Sequence, residues 1–271
     1  PPPYTCRRQR QMCIRDSSYP AGRNLLAEKT VLVTAAAGTG IGFWAARRAI
    51  EEGARVMVSD LHERRLGEAA DELEKLTGQR PATALCNVTS EQDVRASVDA
   101  ALAELGHLDV LINNAGLGGF GHVVDLSDEQ WGQVLDVTLN GTFRMTRAVL
   151  PHMLERESGA IVNNASVLGW RAQKGQAHYA AAKAGVMAFT RCVAMEAAEG
   201  GVRVNAVAPS LAMHEFLSKV TPEGLLEELT AREAFGRAAE PFEVANVMIF
   251  LASDYASYMT GEVVPVSSQH A

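Results

Sequence analysis

The chain has 271 residues, enough for one large core, and its 47% hydrophobic content is typical of a globular domain. A net charge of −7 argues against a nucleic-acid partner, because phosphate-backbone binders carry basic surfaces. No apolar run approaches the roughly 20 residues that span a bilayer, so no membrane partner is expected. The four cysteines lack metal-like spacing. We therefore predict free thiols, no metal site and a cytoplasmic location.

The first 24 residues are rich in Arg and Pro and lack the apolar segment of a secretory signal. Within them, Arg10–Ser17 resembles the translation of a transposase-adaptor end that is used in sequencing libraries. We interpret residues 1–17 as an assembly artefact and predict disorder over residues 1–24. The folded domain is expected over residues 25–271.

A short β-branched run, Thr30–Thr34, predicts the first strand, and a helical pattern follows from Phe43 to Glu52. The glycine-rich turn between them is typical of dinucleotide sites, where backbone N–H groups and a helix N-terminus bind a pyrophosphate. A plain strand–helix turn is the alternative. We predict that the cofactor is contacted by Ala36, Gly38, Thr39, Gly40, Ile41 and Gly42.

The second predicted strand, Arg55–Ser59, ends at Asp60, about 20 residues beyond the glycines. An acidic side chain there can bind both ribose hydroxyls of NAD and repel the 2′-phosphate of NADP. We therefore expect NAD as the cofactor, with NADP less favoured. Arg64 and Arg65 could weaken that preference, although a solvated helix start accounts for them better.

The next two strands also end in polar or small residues. The third, Ala82–Val88, closes with Asn87 and Val88, and we expect the asparagine to meet the adenine. The fourth, Leu108–Ile112, runs into Asn113-Asn114-Ala115-Gly116, and helices such as Glu91–Leu105 alternate with the strands. This alternation predicts an α/β fold with a single Rossmann-type doubly wound parallel sheet flanked by helices. Ligands bind at the carboxyl ends of such strands, where all these residues fall.

A long predicted helix from Ser127 to about Glu155 and a fifth strand, Ala160–Asn164, precede the residues that could do chemistry. Ser166 lies just past that strand. Helix Gln176–Glu199 carries Tyr179 and Lys183 four residues apart, which places both on one face.

The phenol of Tyr179 needs help to exchange protons at neutral pH, because its ordinary pKa is about 10. An ammonium close by, such as that of Lys183, favours the phenolate and lowers that pKa. Tyr179 could then give a proton to an alkoxide or take one from an alcohol. The hydroxyl of Ser166 could hold the same oxygen. A solvated helix face is the alternative for this pair of residues.

The last part of the chain supplies the substrate side. A sixth strand, Arg203–Val207, leads to Pro209-Ser210, and residues 211–235 are polar and helical, which suits a substrate lid. A helix, Pro241–Leu251, and a strand, Glu262–Val266, are expected to close the sheet.

In this order and spacing, the motifs resemble the short-chain dehydrogenase/reductase family over about residues 28–268. The resemblance implies hydride transfer between a nicotinamide and a ketone or secondary alcohol. It makes Tyr179 the general acid/base, Lys183 the group that lowers its pKa and binds the nicotinamide ribose, and Ser166 the group that orients the substrate oxygen. It also implies cofactor contacts at Asn114, Ala115, Gly116, Tyr179, Lys183, Pro209 and Ser210.

The sequence departs from the family pattern at four positions. Ala36 stands where the first turn glycine is usual, and Thr138 stands where an asparagine supports a proton-relay water. Thr138 can still hold water, so we keep it as a candidate catalytic residue. Ser210 replaces a glycine, and His214 replaces a threonine that meets the nicotinamide, so His214 could contact cofactor or substrate. A solvated lid residue is the alternative for His214.

Three longer runs, Asn163–Gln173, Glu233–Pro241 and Ser257–Gln269, resemble an actinobacterial subgroup that acts on hydroxylated indanone-propionate intermediates of steroid degradation, as CoA thioesters. The expected partner is thus a small, cyclic substrate, with Trp170 in the pocket wall. The family also implies a homo-oligomer, a tetramer or a dimer. A 3-oxoacyl thioester reductase and a non-catalytic dinucleotide-binding protein are the alternatives.

Overall fold

The computed structural model describes residues 19–213, 217 and 224–268. Within these ranges, seven parallel strands form one sheet in the order β3-β2-β1-β4-β5-β6-β7. The strands are β1 (Thr30–Thr34), β2 (Arg55–Asp60), β3 (Ala82–Leu85), β4 (Val110–Asn113), β5 (Gly159–Asn164), β6 (Val202–Pro209) and β7 (Val263–Val266). The helices are α1 (Ile41–Glu51), α2 (Glu63–Thr77), α3 (Glu91–Leu105), α4 (Asp128–Leu135), α5 (Gly141–Glu155), α6 (Ala177–Ala197), α7 (Leu225–Ala231) and α8 (Pro241–Ala252).

Helices cover both faces of the sheet, which confirms the predicted doubly wound fold. Strand β1 is buried at all five positions, as expected for a strand in the middle of a parallel sheet. Val31 and Val33 face a layer built by α1, α2 and α8, whereas Leu32 faces a layer built by α3, α5 and α6. The alternation along one strand therefore divides the core into two layers.

The predicted long helix from Ser127 to Glu155 is interrupted. Helix α4 begins at a capping box of Ser127 and Gln130, and one π-helical turn, Asp136–Asn140, separates it from α5. A π turn adds one residue to a helix, and such turns are frequent at functional sites. No helix in the described ranges is long and apolar enough to cross a membrane.

The structure differs from the predicted disorder at residues 19–24, whereas residues 1–18 lie outside the described residues. The Tyr19 ring packs edge-on against Phe242, with ring centroids 5.1 Å apart. The Pro20 carbonyl accepts a hydrogen bond from Arg48 Nη1 at 2.8 Å, and the Arg23 amide donates to Glu52 Oε2 at 2.7 Å. These contacts fix the segment against α1 and α8.

Candidate active site

One cavity of about 790 Å³ opens at the carboxyl ends of the strands, which is large for a small-molecule site. Strand β1 lies between β2 and β4, so the strand order reverses there and forms the crevice in which such sheets bind dinucleotides. Side chains that follow β1, β2, β4, β5 and β6 all line this cavity. The sheet thus brings residues far apart in sequence to one place.

The turn after β1 contributes Thr39, Gly40, Ile41 and Gly42 to the cavity wall. Helix α1 begins after Gly40 without a side chain capping its N-terminus. Its first N–H groups therefore lack intrahelical or side-chain acceptors and can bind an anionic group. A Cβ atom at Gly42 would lie 2.5 Å from the Ala35 carbonyl oxygen, so only glycine allows this close approach. The turn fits the pyrophosphate of a dinucleotide.

The strained residue in this turn is Ala35, not Ala36. Ala35 has a φ of 51°, in the left-handed region that favours glycine, and Gly38 has a φ of 108°. Ala36 is fully buried, and its amide donates to the Ser59 carbonyl at 3.1 Å. The resemblance places the missing family glycine at Ala36. The structure instead places the strain one residue earlier.

Asp60 lies at the end of β2 and lines the cavity with His62 and Arg65. Its Oδ2 accepts from the Ala37 amide at 3.2 Å, and its Oδ1 accepts from the His62 amide at 3.1 Å. Burial raises the pKa of this carboxyl, although the Ala37 amide and Arg65 act against that rise. Arg64, in contrast, is exposed and pairs with Glu68.

Ser166, Tyr179 and Lys183 line the same cavity. Ser166 follows β5, and its Oγ accepts from the Leu168 amide at 3.2 Å, which fixes the turn behind it. Lys183 is buried on α6, and its Nζ donates to the Asn164 carbonyl oxygen at 2.5 Å. The same Nζ lies 5.5 Å from the centroid of the Tyr179 ring. A hydroxyl, a phenol and an amine therefore surround one part of the cavity.

The pKa values of this group differ from the expectation. Burial raises the pKa of Tyr179 to about 12, and a hydrogen bond with Ser166 opposes only part of that rise. Burial also lowers the pKa of Lys183 to about 8. The predicted lowering of the Tyr179 pKa by the Lys183 ammonium is absent in this geometry, where desolvation is the largest effect on the phenol.

Thr138 lies in the π turn and is fully buried. Its hydroxyl accepts from the Leu117 amide at 3.0 Å and donates to the Leu117 carbonyl at 3.3 Å. Its own carbonyl accepts from Thr142 Oγ1 at 2.8 Å. These bonds hold the loop after β4 beside Lys183, since a Cβ atom at Gly116 would lie 3.3 Å from Lys183 Nζ. The relay role of Thr138 stays a prediction.

An asparagine bridge joins the turn after β1 to Lys183. Asn114 Nδ2 donates to the Ala35 carbonyl at 3.0 Å, and Asn164 Nδ2 donates to Asn114 Oδ1 at 3.0 Å. Asn164, which also holds Lys183 through its carbonyl, is not among the predicted residues. Its position at the end of β5, the strand next to β4, is the signal that could have identified it.

Several predicted cofactor residues lie outside the wall of this cavity. Asn87 Oδ1 instead accepts from the amide and the hydroxyl of Thr89, at 3.1 and 2.9 Å. Val88 is buried beside Gly141, and the Ala115 amide donates to Thr34 Oγ1 at 3.1 Å. The predicted contacts that do line the cavity are Thr39, Gly40, Ile41, Gly42, Asp60, Asn114, Gly116, Tyr179, Lys183, Pro209 and Ser210.

Trp170 is 51% exposed, follows the turn Val167–Gly169 and lies outside the cavity wall. Its substrate contact stays a prediction. Arg171 and Gln173 line the cavity instead. The other substrate candidate, His214, lies outside the described residues.

Comparison with known proteins decides the family. A family model described as enoyl-(acyl carrier protein) reductase matches residues 35–268. A short-chain dehydrogenase from Mycobacterium smegmatis is 55% identical, with a TM-score of 0.85 over 95% of this chain and 99% of that chain. This chain belongs to the short-chain dehydrogenase/reductase family. As a short-chain dehydrogenase/reductase, it is an oxidoreductase acting on CH–OH groups with a nicotinamide dinucleotide.

Two curated relatives in this family differ in the reactions that their names describe. The (5R,7aS)-5-hydroxy-7a-methyl-1-oxo-2,3,5,6,7,7a-hexahydro-1H-indene-carboxyl-CoA reductase of Mycobacterium tuberculosis is 61% identical over 251 residues, 92% of this chain and 96% of that protein. The 3-oxoacyl-[acyl-carrier-protein] reductase of Thermotoga maritima is 39% identical over 241 residues, 89% of this chain and 97% of that protein.

Proposed function

We propose that this short-chain dehydrogenase/reductase uses NAD(H) to reduce or oxidise a bicyclic, steroid-derived indanone-type substrate that is carried as a CoA thioester. The observation that carries this proposal is the 61% identity to the M. tuberculosis indene-carboxyl-CoA reductase over nearly all of both chains. The cavity supports it, because Leu168, Leu225, Leu226 and Leu229 add an apolar wall to the cavity that Tyr179 also lines. Such a wall suits a hydrocarbon ring system.

The protonation states in this cavity suit proton donation to a substrate oxygen. A nicotinamide dinucleotide bound here would supply or accept the hydride. With a pKa raised to about 12, the Tyr179 phenol is protonated at neutral pH and can donate a proton to a developing alkoxide. Ser166 Oγ can donate to the same oxygen and orient it. Lys183, whose pKa is lowered to about 8, is still mostly an ammonium at neutral pH and stabilises negative charge on the phenol oxygen.

Asp60 supports NAD as the preferred cofactor. A carboxylate at the end of β2 can accept from ribose hydroxyls and repels a 2′-phosphate. We expect Asp60→Ala to reduce the ratio of kcat/KM with NAD to that with NADP by about tenfold or more, a change of about 1.4 kcal/mol. Asp99→Ala, at an exposed position on α3, is the matched control and should leave the ratio unchanged. An unaltered ratio in Asp60→Ala would rule out NAD selection by this carboxylate.

A 3-oxoacyl thioester reductase is the second candidate, because the T. maritima relative carries that name. The two functions separate in a turnover screen of the indanone CoA thioester against 3-oxoacyl thioesters, each with NADH and NADPH. We expect kcat/KM to favour the indanone thioester with NADH by about 100-fold or more. Equal or faster turnover of the 3-oxoacyl thioester with NADPH would reverse the assignment.

We also propose a homo-oligomer, a tetramer or a dimer, built on α5 and α6. Phe143 on α5 is 40% exposed and contacts Phe189 of α6 with ring centroids 6.2 Å apart, and Met195 on α6 is 78% exposed. Apolar side chains on neighbouring helices make a surface suited to a second copy. Light scattering after size exclusion should show two or four chains, and Phe143→Glu should reduce that number. A wild-type monomer would contradict this assembly.

A further inference from the structure

The cavity carries more positive charge than the chemistry uses. Among its described lining residues, Asp60 supplies the only carboxylate, whereas Arg65, Lys183, Arg171 and Arg232 supply four cations. Lys183 belongs to the catalytic group, and Arg65 lies near Asp60. Arg171 and Arg232 have no role in the chemistry or in the cofactor contacts described above.

These two arginines lie on the substrate side of the cavity. Arg171 comes five residues after Ser166, and its amide donates to the Val167 carbonyl at 2.9 Å, which holds it against the turn beyond β5. Arg232 follows α7, which comes after β6 in the chain. In the sheet, β1 and β4 separate β2 from β5, so β5 and β6 lie about 14 Å or more from the strand that ends at Asp60.

Helix α7 presents its apolar wall and its cation on one face. Leu225 and Leu229 are four residues apart, and Arg232 follows three residues later, so all three lie on neighbouring turns of one face. The Arg232 side chain is 64% exposed and pairs with Glu228, which is itself 58% exposed. The apolar wall therefore ends in a cation at the open mouth of the cavity.

We propose that Arg171 and Arg232 bind the phosphate groups of the coenzyme A portion of the substrate, with the apolar ring held further inside. This subsite rests on the proposed function, because it assumes a thioester whose ring reaches Tyr179. Guanidinium groups match phosphate oxygens in two-pronged hydrogen bonds. An exposed Arg–Glu pair contributes little stability, so Arg232 can exchange Glu228 for a phosphate at low cost.

A phosphate fits this arrangement better than a carboxylate on the ring. A carboxylate attached directly to the ring would lie within the apolar wall, where an unpaired charge is costly. Arg232 lies at the exposed mouth, where only a group on an extended tail reaches it. Coenzyme A carries several phosphate charges on such a tail, so two guanidinium groups on separate elements can each take one.

The test uses pairs of substrates and matched variants of the whole chain. The CoA thioester is compared with the N-acetylcysteamine thioester of the same ring acid, which keeps the thioester and lacks all phosphates. We expect Arg171→Ala and Arg232→Ala each to raise KM for the CoA thioester about tenfold with kcat almost unchanged. KM for the short thioester should stay the same. Arg95→Ala removes an exposed arginine from an ion pair of the same i,i+4 spacing and is the control.

Equal effects on both thioesters, or no effect on either, would overturn the subsite. If the wild type turns over both thioesters with equal KM and the variants match it, the proposed function survives and only the subsite fails. If the wild type turns over neither thioester, the proposed function fails. Calorimetric titration of coenzyme A into the protein with NADH then still tests the subsite. Wild type and Arg95→Ala should bind it at least about tenfold more tightly than the Arg171→Ala Arg232→Ala double variant, and equal binding overturns the proposal.

Discussion

Lys183→Met exchanges a buried ammonium for an apolar chain of similar length and tests the electrostatics of the site. Burial lowers the pKa of Lys183 from 10.5 to about 8, so the folded protein holds this proton less tightly than the unfolded chain does. Below pH 8 both states are protonated. The difference between the two pKa values then costs the folded state roughly 3 kcal/mol.

The sign of the pH dependence follows from that lowered pKa. Between pH 8 and pH 10.5 the unfolded chain binds more protons, so the free energy of unfolding of the wild type rises with pH. The gain should reach about 2 kcal/mol by about pH 9.5. The pKa of Tyr179 is raised, so its contribution to the free energy of unfolding is complete below pH 10 and is lost only above that pH. Methionine leaves the Asn164 carbonyl without the Lys183 donor, a cost of about 1–3 kcal/mol that does not vary with pH.

The assay is urea unfolding of wild type and Lys183→Met at several values between about pH 7 and about pH 9.5. We expect the variant to equal or exceed the wild type in stability by roughly 0–2 kcal/mol at pH 7. By about pH 9.5 the free energy of unfolding of the wild type should have risen by about 2 kcal/mol relative to that of the variant. Lys75→Met, at an exposed ion pair with Glu72, is the control and should show no such change. Parallel curves for wild type and Lys183→Met would refute a lowered pKa at Lys183.

Three further substitutions test the loops around the cavity. Ala35→Gly removes left-handed strain of about 1–2 kcal/mol but adds chain entropy to the unfolded state. Thermal unfolding should therefore show a gain in stability of up to about 1 kcal/mol. A loss of stability would contradict the strain at Ala35. Gly42→Ala places a Cβ atom 2.4 Å from Asn114 Nδ2 and should weaken NADH binding about tenfold or more in a fluorescence titration; unchanged affinity would contradict the close approach. Thr138→Val removes both hydrogen bonds to Leu117 and should destabilise by about 1–3 kcal/mol in chemical unfolding, whereas Thr138→Ser should stay close to wild type. Equal stability of Thr138→Val and wild type would show that these hydrogen bonds do not stabilise the fold.

Local signals sufficed for most of the fold. The β-branched run Thr30–Thr34 and the helix Glu91–Leu105 have the predicted bounds, and Ser90 caps that helix by accepting from the Asp93 amide. Strand β3 ends at Leu85, short of the predicted Val88, because the Asn87 amide donates to Asp93 Oδ2 and turns the chain into the helix. Strand interiors and helix caps depend on neighbouring residues, so local sequence patterns predict them.

The parts that the sequence did not predict depend on distant contacts. One extra residue in the π turn at Asp136–Asn140 leaves the helical pattern nearly unchanged, so the interruption has no clear signature. The bond from Lys183 to the Asn164 carbonyl joins a helix to a strand, and no spacing rule predicts it. The resemblance placed Trp170 in the pocket wall, and no local pattern shows that it follows a one-turn helix, Val167–Gly169.

Turnover by Tyr179→Phe tests the central claim most directly, since the change removes one oxygen from the catalytic group and keeps the ring. With NADH and the indanone CoA thioester, kcat should fall about 100-fold to 10,000-fold, the usual contribution of general acid catalysis. The dissociation constant of NADH, measured by fluorescence titration, should change by less than about twofold, because the phenol acts on the substrate oxygen. A kcat within about threefold of the wild type, with NADH binding intact, would contradict proton donation by Tyr179.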